Sequence, residues 1–338
     1  MRPWPCLLTL VVLLGNVACV GNAGEYDFTI PEAEKKAYEI GGRLEARYIY
    51  HRLDEDSARY RLNYYRDSPG ADTHEWRGVA ELSGSYRHVF LQANLLTHHE
   101  FVDTHKTDGW DHDIYEGYVS AAPTPHLTVD AGKKRVLWGK GYAWNPAGFF
   151  NRSKDPDDPA LNLEGRTLLG LDLIKSFTTG QVTNIGLTAL LLPVIDDWAN
   201  KDLGDEGDLN TALKLYLLWY DTDLDFIYFD GPEQPHSFGL DFAKNLAENF
   251  EVHGELAYQQ DAARVVLDPT GGIRKVRQDQ VDYLLGVRYL NAIDTTFIAE
   301  YYHNDAGYDR RELEDFFTYQ EAAFDQWQTT GDASVMQR

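Results

Sequence analysis

Sulfur is nearly missing from this chain: two cysteines and two methionines in 338 residues. Both cysteines, Cys6 and Cys19, lie in the first twenty residues, so the rest can build neither a disulfide framework nor a thiolate metal site. Long apolar runs are missing too. A membrane-spanning helix needs about 20 consecutive apolar residues, and the best stretch past the N-terminal region, Gly186 to Ile195, already contains Thr188 and Pro193. This excludes a helical membrane protein. There is no Gly-x-Ser-x-Gly elbow, no His-Glu-x-x-His, no phosphate loop and no dinucleotide fingerprint. Basic stripes are lacking as well: 31 Lys and Arg stand against 54 Asp and Glu, and a net charge of -23 argues against nucleic acid.

What is present begins with Arg2, an apolar stretch from Leu7 to Leu14, and small residues ending in Gly21-Asn22-Ala23. That is the layout of a cleavable secretory signal over 1–23. The alternative, a lipoprotein signal at Cys19, is disfavoured by Asn16 where such a signal wants leucine. The whole chain is rich in Tyr (21), Phe (15) and Trp (8) and is 43% hydrophobic despite its acidity. Composition alone fits a secreted soluble β-protein or a transmembrane barrel with polar lumen and loops.

Periodicity separates the two. Leu213, Leu215, Leu217 and Trp219 share one face while Lys214, Tyr216 and Tyr220 share the other, the period-2 signature of a strand with one apolar side. The same alternation recurs thirteen times: 42–52, 75–86, 89–98, 113–121, 126–138, 166–176, 182–193, 211–220, 223–230, 236–244, 250–259, 280–290 and 293–303. Most of these approach the roughly 9 to 11 residues that a tilted strand needs to cross a bilayer. Tight turns near Arg87-His88, Thr124-Pro125, 177–181, Asp221-Thr222, 245–249 and 291–294 alternate with the mostly longer stretches 53–74, 99–112, 139–165, 194–210, 231–235 and 260–279. Short periplasmic turns and long outer loops are the asymmetry of an outer-membrane barrel. The expectation is an all-β, antiparallel transmembrane β-barrel over 42–303, preceded by a periplasmic segment over 24–41 and followed by an extracellular loop over 304–338. Bacterial single-chain barrels have even strand numbers. Thirteen strands and the polar ending Gln337-Arg338 therefore predict a C-terminal truncation of a 16- or 18-stranded barrel.

The most distinctive segment runs Gly132-Lys133-Lys134-Arg135-Val136-Leu137-Trp138-Gly139, then Lys140-Gly141-Tyr142-Ala143-Trp144-Asn145-Pro146. This strand and loop resemble the porin-like outer-membrane barrels, including uncharacterised families and relatives of alginate-export porins, in which Gly-Lys-x-Arg-x-x-Trp-Gly runs into Trp-Asn-Pro. The resemblance implies a channel and names no solute. The stretch 139–165 is the third long loop, the one that narrows the lumen in many general porins, and Arg152, Lys154, Asp155, Asp157 and Asp158 are its candidate constriction residues. The competing reading is a solvated loop with Trp138, Tyr142 and Trp144 in the aromatic girdle at the membrane interface, a role favoured for Trp138.

Faces opposite the apolar ones should line the lumen. They carry Arg43, Arg47, Arg77, Lys134, Arg166, Lys214 and Arg288 against Glu45, Glu81, Glu116, Asp130, Asp172, Asp223, Asp225, Asp241, Glu251, Glu255, Asp282 and Glu300. The acidic excess predicts a weak cation preference, unless opposite charges pair across strands and cancel. His98, His99, His105 and His112 fall with several carboxylates around the second loop, but at irregular spacings, so a solvated patch is favoured over a metal site. Asp196, Asp197, Asp202, Asp205, Glu206 and Asp208 make the fourth loop acidic without the ordered spacing of a calcium loop. Leu313, Phe316, Phe317, Gln320, Phe324 and Trp327 recur at helical spacing and predict an amphipathic helix after the last strand.

The pattern therefore points to a channel for small polar solutes or ions in the outer membrane of a Gram-negative bacterium, needing no cofactor. Lipid and lipopolysaccharide would be its surroundings, with a homo-oligomer possible in this class. The alternative is a non-conducting scaffold barrel that docks a periplasmic or electron-transfer partner. An outer-membrane hydrolase is the enzymatic rival, with His253 beside Glu251 and Glu255 as its nearest cluster and no serine close by on the strand.

Overall fold

The computed structural model describes residues 36–154, 163–196, 199–267, 272–332 and 334. The expected signal, 1–23, and the constriction candidates Asp155, Asp157 and Asp158 lie outside the described residues, as does Asp197.

Thirteen strands follow one another: β1 (Tyr38–Arg52), β2 (Asp72–His88), β3 (Leu91–Asp103), β4 (Asp108–Thr124), β5 (Leu127–Lys134), β6 (Arg166–Ser176), β7 (Val182–Pro193), β8 (Leu209–Trp219), β9 (Thr222–Gly231), β10 (Gln234–Ala247), β11 (Phe250–Leu267), β12 (Ile273–Leu290) and β13 (Thr296–His303). Two α-helices, α1 (Ala58–Tyr64) and α2 (Arg310–Thr330), join them. All thirteen strands form one sheet whose spatial order is the chain order, with antiparallel registers. The fold is all-β, and no described helix is long and apolar enough to cross a membrane.

Several boundaries move from the sequence reading, each for a physical reason. β3 and β4 run on until only 104–107 separates them, and β11 and β12 extend to Leu267 and back to Ile273. At these hairpin ends polar and apolar residues fall on both faces, as in His98, His99, Phe101 and Val102 or Arg264, Val265 and Val266, so the alternation fades while the hydrogen-bonded ladder continues. His98 keeps its expected strand, and His99 and His112, expected in the loop 99–112, are strand residues too. β1 starts at Tyr38, inside the segment expected to precede the barrel. β5 stops at Lys134, four residues short of Trp138.

The chain divides into two compact units, residues 1–88 with 95–114, and residues 89–94 with 115–338. In the first, β1 pairs with β2 from Tyr38↔Tyr86 to Arg52↔Asp72. Alternation places Ile40 and Leu44 on the apolar face, 81% and 86% exposed. Arg43 lies on the other face, where it meets Glu45 at 2.8 Å and Glu81 at 3.5 Å. α1 is capped by Ser57, whose hydroxyl accepts from Tyr60 N at 3.2 Å.

In the second unit a buried cluster joins Leu168, Leu190, Leu192, Ala212, Ile227 and Phe229 of the sheet to Trp138, Ala147 and Phe150. α2 begins in a capping box between Asp309 and Glu312 and ends at Gly331 in the left-handed region. Glu312 pairs with Arg264 of β11, and Arg264 also donates to Gly307 O at 2.8 Å, which fixes the helix start beside that strand.

Candidate functional site

The site grows from an arrangement that a sheet normally avoids. Asp225 on β9 stands directly opposite Asp241 on β10, and Asp241 directly opposite Glu255 on β11. Register puts all three carboxylates on one face, 2%, 0% and 4% exposed. Like charges facing each other across strands destabilise a sheet, and burial adds a desolvation cost. Compensation comes from the chain that follows β5.

That chain, from Val136 to Lys154, lies on the carboxylate face. Glu255 Oε1 accepts from Lys140 N and Gly141 N at 2.6 Å each and from Asn145 Nδ2 at 2.9 Å, while Oε2 accepts from Ala147 N at 3.0 Å. Glu300 on β13 accepts from Tyr142 N at 2.6 Å and Ala143 N at 2.9 Å. Lys140 Nζ reaches Asp225 at 2.7 Å and Asp241 at 3.7 Å. Burial pulls the Lys140 ammonium down, but Asp241 and Asp225 outweigh it and hold its pKa above the usual lysine value, so it stays charged. Lys154 closes the loop by donating to Gly141 O at 2.8 Å and Tyr142 O at 3.0 Å. Burial sets its pKa below the usual value, against the pull of Glu255 and Glu300.

Two glycines make this approach possible. Gly139 has φ of 101°, and a Cβ there would meet Asn145 Nδ2 and Glu255 Oε1 at 2.7 Å. At Gly141 a Cβ would stand 1.9 Å from Trp144 O. Asn145 and Pro146 lead into a turn in which Gly148 N donates to Asn145 O at 3.0 Å.

Trp138 is not a girdle residue. It is 3% exposed, packs edge-on against Phe150 at 4.8 Å, and is pinned by Asn151, whose side chain accepts from Trp138 N at 3.1 Å and donates to Trp138 O at 2.7 Å. The cause is the early end of β5: the chain turns inward before the tryptophan instead of carrying it up the strand. Lys214 sits over its ring at 5.3 Å. Trp144 stacks on Tyr302 of β13 at 5.7 Å.

A second set surrounds His253, which is fully buried. Its Nε2 is 3.0 Å from Glu300 Oε1 and its Nδ1 is 3.4 Å from Glu251, which also pairs with Arg288 at 3.2 Å and accepts from Tyr142 OH at 3.2 Å. Arg288 also lies over the Tyr142 ring at 5.8 Å. Glu251 and Glu255, grouped with His253 as an enzymatic cluster by sequence, are thus engaged by Arg288, Tyr142 and the loop.

The remaining lumen candidates are mostly paired. Arg47 meets Glu45 at 2.7 Å, and Arg77 meets Glu75 at 2.8 Å and Glu100 at 3.3 Å. His98 is buried 3.2 Å from Glu81. Lys134 meets Asp130 at 2.5 Å, Glu116 accepts from Arg135 N at 3.0 Å, Thr188 donates to Asp172, and Asp282 accepts from Asp305 N at 2.7 Å. Arg166 donates to Phe150 O at 2.8 Å and grips Asp202, which Arg152 also reaches at 3.0 Å. Burial would raise the Asp202 pKa, but the hydrogen bonds and charge of Arg166, with the charge of Arg152, hold it below the usual aspartate value. Of the two described constriction candidates, Arg152 is bound to Asp202 and Glu164, and Lys154 to the loop backbone. Sequence reasoning missed Lys140, Asn151 and the anchoring role of Asp202. Only the glycines at 139 and 141 gave a signal, a backbone about to approach something closely. Among the described residues no group of three or more His, Cys, Asp or Glu side chains is arranged to hold a metal ion.

No family model and no curated protein matches the chain. Among solved structures, a chain from the work called "Asymmetric conductivity of engineered proteins" is 10% identical with a TM-score of 0.39, over 79% of this chain and 96% of that one. A mutant of the Rh. blastica porin is 11% identical with a TM-score of 0.37, over 80% and 96%. A chain of the FpvAI-pyocin S2 complex is 11% identical with a TM-score of 0.34, over 78% and 42%.

Proposed function

We propose that this protein is a porin-like channel of a Gram-negative outer membrane, and that loop 139–154 is a fixed constriction anchored on the lumen face. The observation that carries the reading is the docking of that loop on the polar face through Glu255, Glu300 and the Lys140 ion pair. A sheet with one solvated polar face and one exposed apolar face belongs at the boundary of water and lipid. β1 gives the apolar face a length. From Tyr38 to Tyr48 its exposed residues include Ile40 and Leu44, and this span, at about 3.3 Å per residue and a tilt of roughly 40°, rises about 25 Å, the height of an outer-membrane apolar band.

In this reading Arg152 and Lys154 border the constriction, with Gly139, Trp144, Asn145 and Pro146 shaping it. The carboxylates left over after pairing give a weak cation preference. Small polar solutes or ions are the cargo, lipopolysaccharide and lipid the outer surroundings, and residues 1–23 the export signal. The motif from Gly132 to Pro146 favours a relative of the alginate-export-like porins. Conductance of the refolded chain in a planar bilayer tests the proposal: discrete channels with reversal potentials shifted toward cations are expected, with larger conductance when 139–154 is shortened. A stably inserted protein that stays silent even without the loop would favour the scaffold alternative.

A further inference from the structure

The carboxylate row holds more negative charge than the loop brings positive charge within ion-pair distance of it. Glu255 is satisfied by four N–H donors. That leaves Asp225 and Asp241, opposite each other in register and both buried, to share the single ammonium of Lys140. Lys140 is nearer to Asp225, and neither oxygen of Asp241 accepts a hydrogen bond among the described residues; Asp225 Oδ1 lacks one as well. Among the described residues no other cation pairs with these two aspartates. On β8 Tyr216 faces Asp225 and donates to Asp223 while Lys214 lies over the Trp138 ring, and on β11 the facing group is Glu255. In the loop Lys154 donates to the backbone of Gly141 and Tyr142, which leaves Lys140.

Two adjacent carboxylates beside one ammonium in a water-poor site cannot both stay ionised cheaply. One proton on either turns an acceptor into a donor, lets the orphaned oxygens bond each other, and leaves one carboxylate for Lys140. We propose that Asp225 and Asp241 hold one proton between them while the loop is docked, so that the dock is a proton-binding site. When the loop lifts away, water reaches both groups, where repulsion between two carboxylates at sheet spacing is weak. The docked state therefore binds one proton more than the lifted state, and alkalinisation favours lifting, by up to about tenfold per pH unit through the titration range. This follows from the geometry of the dock and stands whether or not the protein conducts.

The test uses the refolded full chain in micelles, as wild type and as Asp241→Asn, which mimics the protonated carboxyl at every pH. Infrared spectra of the wild type at neutral pH should show a protonated-carboxyl C=O band that D241N lacks. Tryptic cleavage at Lys140, divided by the D241N rate in the same buffer to cancel the protease's own pH response, should rise by up to about tenfold per pH unit on alkalinisation. Asp225→Asn serves as the second variant if D241N does not refold, with β-sheet content by circular dichroism as the folding check. A missing carboxylic-acid band together with a flat cleavage ratio would overturn the proposal, whatever the conductance measurements show.

Discussion

Replacing Glu255 should release the loop, and the size of the effect follows from its four acceptor bonds. Glu255→Ala orphans Lys140 N, Gly141 N and Ala147 N together and leaves Asn145 Nδ2 with its bond to Gly141 O alone. Each charge-assisted bond is worth about 1.5 to 3 kcal/mol, but a lifted loop regains water on all four donors, so the bonds do not simply add. Leaving a buried donor unsatisfied costs about 1 to 3 kcal/mol, and with three peptide donors affected we expect a docking loss of roughly 3 kcal/mol or more, a hundredfold or greater rise in the undocked population. Glu255→Gln should be milder. Its amide oxygen can take the Oε1 position and keep three donors, while its amide nitrogen then faces Ala147 N–H, costing roughly 1 to 3 kcal/mol. Limited trypsinolysis at Lys140, Arg152 and Lys154 reads the undocked fraction, and single-channel conductance reads its consequence for the pore. Cleavage should rank Ala above Gln above wild type, with conductance noise following the same order. If Glu255→Ala were cut within about twofold of the wild-type rate, the carboxylate clamp would not be what holds the loop.

Gly141→Ala forces a methyl group against Trp144 O and should loosen the loop by about 1 to 3 kcal/mol, the usual range for overpacking, with the sheet's circular dichroism unchanged. Asp202 gives an acid limb. Because its folded pKa lies below that of a free aspartate, its pairing with Arg166 and Arg152 contributes fully above about pH 4 and fades as the pH falls through the folded value. Protease sensitivity of the loop should therefore rise on strong acidification, and Asp202→Asn should remove that response while raising sensitivity at neutral pH.

Thirteen strands were legible because a sheet with one exposed apolar and one polar side writes its period directly into sequence, as in Leu213 to Tyr220. The same rule failed where it had no physical basis. Around His98 to His112 histidines and carboxylates fall on both faces of the hairpin, so a ladder that continues left no alternation to read. Trp138 was misplaced because an aromatic near a strand end looks alike whether it rides up to an interface or turns inward, and the difference lies in where β5 stops pairing. The clamp was the least legible feature. Glu255 and the loop N–H groups it holds lie 115 and 114 positions apart, and its donors are mostly peptide groups, which every residue except proline possesses.

That anonymity of the donors has a use. A carboxylate that grips peptide N–H groups does not recognise the side chains attached to them, so Glu255 and Glu300 set no identity at 142 or 143, where Tyr142 is tied instead to Glu251 and Arg288, while Gly139, Gly141 and Asn145 are held to theirs. The loop is in effect a cartridge with a standard fitting: the side chains it displays can be exchanged without redesigning the wall that holds it.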